Sequence, residues 1–178
     1  MAFQEKSGFR LNGLEGYLSM NDSLINMQEV LLKTGHSYLQ ASHINVEMHP
    51  GDSLDIWNDF VFDVKVDTSI LSLKDAGYFV PDMQAMAHQV GFGAHFKGPL
   101  SNVKVSDFHL HYGCSSHVLA DFSVNGLPDT ELAFVFAEIN DISLFEPDIR
   151  NALAETPGVS VELPEGLSEM GSLQFKGT

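Results

Sequence analysis

Residues 72–143 decide the fold class, and they read SLKDAGYFVPDMQAMAHQVGFGAHFKGPLSNVKVSDFHLHYGCSSHVLADFSVNGLPDTELAFVFAEINDIS. Apolar and polar residues alternate along several short segments of this stretch, and small turn residues separate the segments. Successive side chains of a β-strand point to opposite faces of its sheet. Each segment therefore predicts a strand with one apolar and one polar side, which is typical of an antiparallel sheet that covers something apolar.

The apolar phase of these predicted strands supplies the candidate binding surface. Adjacent strands pair with their apolar phases on the same side, so we expect one common hydrophobic groove. Its candidate residues are Val90, Phe92, Phe96, Phe108, Leu110, Tyr112, Val118, Phe122, Val124, Phe134 and Phe136. The opposite phase carries Gln89, His95, Asp107, His109, His111, Asp121, Ser123 and Asn125.

The rest of the chain predicts the same mainly β fold class with one or two short helices. Residues 60–66 and 159–163 alternate in the same way and predict further strands. The segments 81–86 and 147–154 each begin with Pro followed by Asp, a favourable first turn for a helix. The second segment also ends at a Pro-Gly pair, as helices commonly do.

Composition excludes several classes of partner. The 178 residues include 24 Asp and Glu against 9 Lys and Arg, which gives a formal net charge of -15. Such a surface repels phosphate backbones, so we expect no nucleic-acid partner, and it disfavours direct docking on an anionic leaflet. The apolar runs are far shorter than the roughly 20 residues of a membrane-spanning helix. The single cysteine, Cys114, excludes an internal disulfide framework.

A faint internal repeat predicts the domain organisation. The triplet Phe96-Lys97-Gly98 recurs 79 residues later as Phe175-Lys176-Gly177, and a Pro-acidic pair precedes each copy. Repeats that leave an apolar face uncovered usually stack into a longer body. We therefore interpret 1–178 as a single β-rich segment of a larger repeat-like protein, with possible sub-repeats 1–79 and 80–162 and a further copy starting near 163.

The histidines are the first candidates for a chemical site. Asp107, His109 and His111 lie at alternate positions of one predicted strand, and His117 follows across a turn, a set that could hold Zn²⁺. A solvated polar face on an acidic protein explains the same pattern, and we favour it. The sequence therefore predicts no metal ligand and no cofactor.

Other reactive residue types point to ordinary structural roles. Cys114 lies in a predicted turn with no cationic neighbour or helix N-terminus to activate its thiol, so it is not a candidate nucleophile. Gly91 and Gly93 lie within a strand pattern, which indicates a bulge or a close backbone approach rather than a phosphate loop. Asp148 near Glu146 is interpreted as solvating charge and helix capping. We expect no catalytic residue and no enzyme activity.

Four segments together resemble a known family. They read SLKDAGYFVPDM, GPLSNVKVSDFHLHYG, DFSVNGLPDTELAFVFAEIND and LPEGLSEMGSLQFKG. In this order they are similar to the N-terminal or middle β-rich region of TamB-type translocation and assembly module proteins, relatives of AsmA. A Gly-Leu-Pro-Asp turn at 126–129 precedes a strand that bears Phe134 and Glu138, as in divergent members. The resemblance covers 69–178 well and 12–67 more loosely, through YLQASHINVEM.

The resemblance implies a fragment of a long periplasmic protein whose parent is anchored in the inner membrane. It implies an antiparallel amphipathic sheet forming an elongated open groove or taco-like β-roll. The implied cargo is lipid acyl chains or unfolded outer-membrane protein, and the implied partner is an Omp85-type outer-membrane barrel, contacted through other parts of the parent. The residues also leave open a closed structural or adhesive β-sandwich domain without a transport role.

Overall fold

The structure is a computed structural model that describes residues 3–4, 10–49, 51, 53–78, 88–155 and 171–177. Ten strands form one antiparallel sheet. In chain order the elements are β1 Phe3–Gln4, β2 Arg10–Met20, β3 Leu24–Thr34, β4 Tyr38–Met48, β5 Phe60–Ser72, α1 Leu73–Ala76, β6 Gln89–Pro99, β7 Asn102–Tyr112, β8 Ser116–Asn125, β9 Phe134–Phe145, α2 Glu146–Glu155 and β10 Ser172–Lys176.

The sheet is a simple meander. Each strand pairs only with the strands before and after it in the chain, and the order runs from β1 to β10 without a crossover. In the described ranges β1 and β10 do not pair with each other, so the sheet is open rather than closed into a barrel. The mainly β fold class predicted from the sequence is confirmed.

One of the two predicted helices lies in the described part of the chain. The predicted helix at 147–154 is confirmed as α2, one residue longer at each end. The predicted helix at 81–86 and the predicted strand at 159–163 lie outside the described residues, as does the Pro-acidic start of each repeat copy. The short helix α1 was not predicted, because four residues are too few to show a helical period.

Bulges interrupt several strands near their middle. In β7, Val105 lies opposite Phe122 and Phe108 lies opposite Ala120, so β7 carries one extra residue between these two pairs. Asp107 occupies the bulge with a φ of 53°, and its N–H donates to the Asp121 carboxylate at 2.8 Å. Val105 and Phe108 would point to opposite faces of a regular strand. The bulge restores them to one face.

Similar register shifts occur between β2 and β3, β4 and β5, β5 and β6, and β8 and β9. Bulged strands bend and twist more strongly than regular ones. The buried apolar side chains of the described residues are Val30, Ala41, Ala94, Val105 and Ala120. All five lie near these bulges on one face, and three of them are alanines. The most buried apolar positions of this face are therefore occupied by small side chains.

Candidate functional site: the apolar face of the sheet

The strand register brings nine of the eleven predicted groove residues onto one face, here called the apolar face. Phe92 lies opposite Leu110, which lies opposite Val118. Val90 lies opposite Tyr112 in the same way. The remaining members of the nine are Phe96, Phe108, Phe122 and Val124. The rings of Phe108 and Phe122 make an edge-on contact with centroids 5.5 Å apart. The predicted common face is confirmed for these residues.

Phe134 and Phe136 do not join them. Phe136 lies opposite Ser123 and Phe134 lies opposite Asn125, so both rings are on the polar side of the sheet. Their neighbour Val135 lies opposite Val124 and takes the place on the apolar face. The two phenylalanines were therefore assigned to the wrong side, because both phases of this strand begin with apolar residues.

The apolar face extends well beyond the residues that the sequence singled out. One line of directly opposed residues crosses eight strands from β2 to β9, and we call it the apolar row. Its members are Leu18, Met27, Ile44, Val64, Phe96, Val105, Phe122 and Ala137. Every member is apolar. The members in β2 to β4 were missed, although YLQASHINVEM shows the same alternation once its bulge is allowed for.

Much of this face is open in the described part of the chain. Leu18 is 65% exposed, and Val135 at the other side of the sheet is 60% exposed. Between them, Phe62, Val64 and Phe96 border a hollow of about 210 Å³ whose walls offer apolar surface. Outside the sheet the described residues form only the two short helices and connecting segments. No second sheet of described residues covers the apolar face.

The helix α2 caps one end of the face. Its residues Ile149 and Leu153 face Leu110, Val118 and Leu144 across a hollow of about 290 Å³. A helix therefore narrows this end of the apolar face, whereas no helix among the described residues lies over the middle. A ten-residue helix is only marginally stable on its own, so α2 needs contacts that hold it against the sheet.

Asp148 in α2 supplies such contacts, because its side chain binds the turn between β7 and β8. It is only 3% exposed, and its carboxylate accepts hydrogen bonds from the backbone N–H groups of Cys114, Ser115 and Ser116 at 2.9 to 3.0 Å. The Ser116 hydroxyl donates to it as well. Burial alone would raise the pKa of Asp148, but these hydrogen bonds outweigh burial and hold the pKa below its usual value. The interpretation of Asp148 as a solvating or helix-capping charge was wrong, because this carboxylate caps the β7–β8 turn.

The polar face carries five of the eight histidines. His43 and His95 both lie near Asp63, with Nε2 atoms 2.9 Å and 2.6 Å from the same carboxylate oxygen. Hydrogen bonds from His43, then His95, and the nearby Lys97 ammonium keep the pKa of Asp63 well below its usual range. Asp63 therefore stays ionised on this face. Sequence reasoning missed the cluster because its members come from three different strands.

The histidine set weighed from the sequence is arranged differently. His109 and His111 have ring centroids 6.2 Å apart, and His111 and His117 are 5.9 Å apart. Asp107 turns away to the Lys65 ammonium, 2.9 Å distant. Among the described residues, only the His43 cluster gathers three metal-ligand atoms closely enough to hold an ion. Gly93 lies directly beneath the His109 ring, where a Cβ would clash, so the predicted close approach is confirmed.

Replacing His109 and His111 tests whether they are ordinary solvated residues of the polar face. The double substitution His109→Ala and His111→Ala is expected to change the free energy of unfolding by no more than about 0.5 kcal/mol, as at other surface positions. Urea denaturation monitored by circular dichroism measures this. Stoichiometric Zn²⁺ in the purified protein that disappears in the double variant would contradict the solvated-face interpretation.

Comparison with known proteins adds no assignment. No protein-family model, no curated protein and no solved structure matches this chain. Across the ranges that the structure describes, no helix has both the length and the apolar character needed to cross a bilayer.

Proposed function

We propose that this chain belongs to a periplasmic envelope-biogenesis protein whose apolar β-groove shields lipid acyl chains between the inner and outer membranes. The apolar row is the observation that carries the proposal. Eight consecutive strands place an apolar residue at one level of the same face, and the described residues lay no second sheet over it. A folded protein rarely leaves so large a continuous apolar surface without a ligand or partner for it.

Hydrocarbon is the cargo that such a surface suits. Burying one methylene stabilises by about 0.8 kcal/mol, and the effect is proportional to area rather than directed at particular atoms. An extended acyl chain laid along the apolar row gains this contribution at each strand that it crosses. The row lacks charged or polar members, so it favours hydrocarbon tails and does not select among head groups.

The resemblance to TamB-type proteins supports the cellular setting. It suggests a parent protein anchored in the inner membrane and an Omp85-type outer-membrane barrel as partner, reached through other parts of the parent. The net charge of -15 agrees with a groove that stays clear of anionic lipid surfaces while it accepts their acyl chains. Nucleic acid is disfavoured as a partner for the same reason.

Two alternative functions for the apolar face make different predictions. Unfolded outer-membrane protein could occupy the same face, since the strands of such proteins also alternate apolar and polar residues. A closed structural or adhesive β-sandwich would instead need a second layer over the apolar face, formed by parts of the chain outside the described residues. Each alternative predicts a different molecule in contact with Phe108 and Phe122.

Site-specific photo-crosslinking in cells that produce the intact protein distinguishes these cases. A photoreactive residue at Phe108 or Phe122 is expected to give lipid adducts, identified by mass spectrometry. The matched control is Phe136, which is 60% exposed but lies on the polar face one strand away from Phe122. It should give none. Crosslinks from Phe108 and Phe122 only to this chain would support the closed domain, and crosslinks to outer-membrane proteins would support the other cargo.

A further inference from the structure

The polar face holds a cluster that the transport proposal does not use. His43 lies in β4, Asp63 in β5 and His95 in β6. Lys65 pairs with both histidines in the strand register, and Asp63 lies two residues before Lys65 on the same side of β5. Three adjacent strands therefore direct one side chain each toward a common point. Register shifts adjoin both histidines, and bulges often re-aim side chains in this way.

The ligand atoms of the cluster converge closely. One oxygen of Asp63 lies 2.9 Å from Nε2 of His43 and 2.6 Å from Nε2 of His95. All three ligand atoms lie within 4.8 Å of one another. The imidazole rings stand nearly perpendicular, with centroids 5.6 Å apart, so they approach the oxygen from different directions. The two nitrogens and the oxygen are therefore close enough together to bind one ion.

The chemistry of the three ligands matches a particular class of ion. Two imidazole nitrogens and one carboxylate oxygen are the ligand types of Zn²⁺ sites that keep an open position. Bonds of about 2.0–2.1 Å in a tetrahedron separate ligand atoms by roughly 3.3 Å. The two spacings from the Asp63 oxygen, 2.9 Å to His43 and 2.6 Å to His95, are shorter than this. Side-chain rotations on these partly exposed residues can supply the difference.

The surroundings also suit an ion with a bound water. The side chains of His43 and His95 are 30% and 20% exposed, so solvent reaches the fourth position. The second oxygen of Asp63 faces the Lys97 ammonium at 3.3 Å, which leaves the first oxygen for the metal and orients the carboxylate.

We propose that His43, Asp63 and His95 bind one divalent transition-metal ion, of which Zn²⁺ fits best, with water as the fourth ligand. The ion links β4, β5 and β6 on the polar face, on the opposite side of the sheet from the middle of the apolar row. It therefore braces the strands that carry Ile44, Val64 and Phe96.

Calorimetric titration of the chelator-treated chain with Zn²⁺ alone tests the site. The wild-type chain is expected to bind one equivalent, and His95→Gln should weaken this binding at least about tenfold. The matched control is the double variant His109→Ala and His111→Ala, which removes two histidines from the same face and should bind as the wild type does. Circular dichroism confirms that each variant is folded.

Co²⁺ supplies a second readout that does not depend on stability. Bound by the wild-type chain, it should show the intense visible absorption of a tetrahedral site, and Asp63→Asn should abolish that band. The proposal is overturned if the wild-type chain binds no Zn²⁺ or if His95→Gln binds as tightly as the wild type. Equal loss in the His109 and His111 control would also overturn it, since binding would then be adventitious contact with surface histidines.

Discussion

Replacing Phe122 with Asp is expected to weaken binding of a fluorescent fatty acid at least about tenfold, equivalent to about 1.4 kcal/mol. Phe122 lies in the apolar row between Val105 and Ala137, so an acyl chain on that row would have to contact the new carboxylate. Removing a charge from water without a partner is costly. Fluorescence titration of the purified chain at neutral pH measures the loss.

Phe136→Asp is the control for this experiment. It makes the same chemical change on the neighbouring strand, but on the opposite face of the sheet. We expect the binding of the fatty acid to this variant to equal that of the wild type. On an open face Phe122→Asp should remain folded, because water reaches the carboxylate. Global unfolding of Phe122→Asp would instead indicate a closed core, and unchanged fatty-acid binding would place the cargo elsewhere.

Replacing Asp148 with Ala is expected to lower the free energy of unfolding by about 2–4 kcal/mol. Three backbone N–H groups and the Ser116 hydroxyl lose their acceptor together, in a place that water reaches poorly. The Ser116 hydroxyl oxygen also accepts the N–H of Phe145, so the loss extends into the end of β9. Urea denaturation at pH 7 measures the change.

The pH dependence of this effect has a definite sign. The pKa of Asp148 is lower in the folded chain than the value of about 3.9 in an unfolded chain. Its stabilising contribution is therefore full above about pH 4 and is lost as the pH falls through the folded pKa. The difference in the free energy of unfolding between the wild type and Asp148→Asn should therefore become smaller in acid.

Asp141→Ala, a substitution at a more exposed position of β9, is the control for Asp148→Ala. It should lower the free energy of unfolding by no more than about 0.5 kcal/mol at pH 7. An equal loss in both variants would contradict the role of Asp148 in capping the β7–β8 turn.

Alternation predicted the sheet because it reflects a local rule. In β6 and β8 the residues Val90, Phe92, Phe96, Val118, Phe122 and Val124 keep one phase, and pairing assigns that phase to one face. In β7 the apolar phase changes at Asp107, and the bulge there returns Val105 and Phe108 to the same face. The rule fails where both phases are apolar. In β9 the residues Phe134, Val135 and Phe136 are consecutive, so only the pairing of Phe136 with Ser123 decides which side each ring takes.

The cluster of His43, Asp63 and His95 could not be predicted from the sequence, for a related reason. His43 is 20 residues from Asp63, and His95 is 32 residues from it, so no short motif joins them. Their meeting depends on the register of two strand pairs and on the bulges beside each histidine. By contrast, Asp107, His109 and His111 are close in sequence and look like a site. The bulge at Asp107 directs that carboxylate toward Lys65 instead.

The length of the apolar row can be estimated from the spacing between strands, because the strands follow one another in chain order. Neighbouring strands lie about 4.8 Å apart, so the seven steps from Leu18 to Ala137 span roughly 34 Å, comparable to the hydrocarbon core of a bilayer at about 30 Å. Because each strand pairs only with its neighbours in the chain, one added or deleted hairpin changes that span by about 10 Å and leaves the other pairings as they are. The length of the apolar row is thus set by the number of strands in the meander.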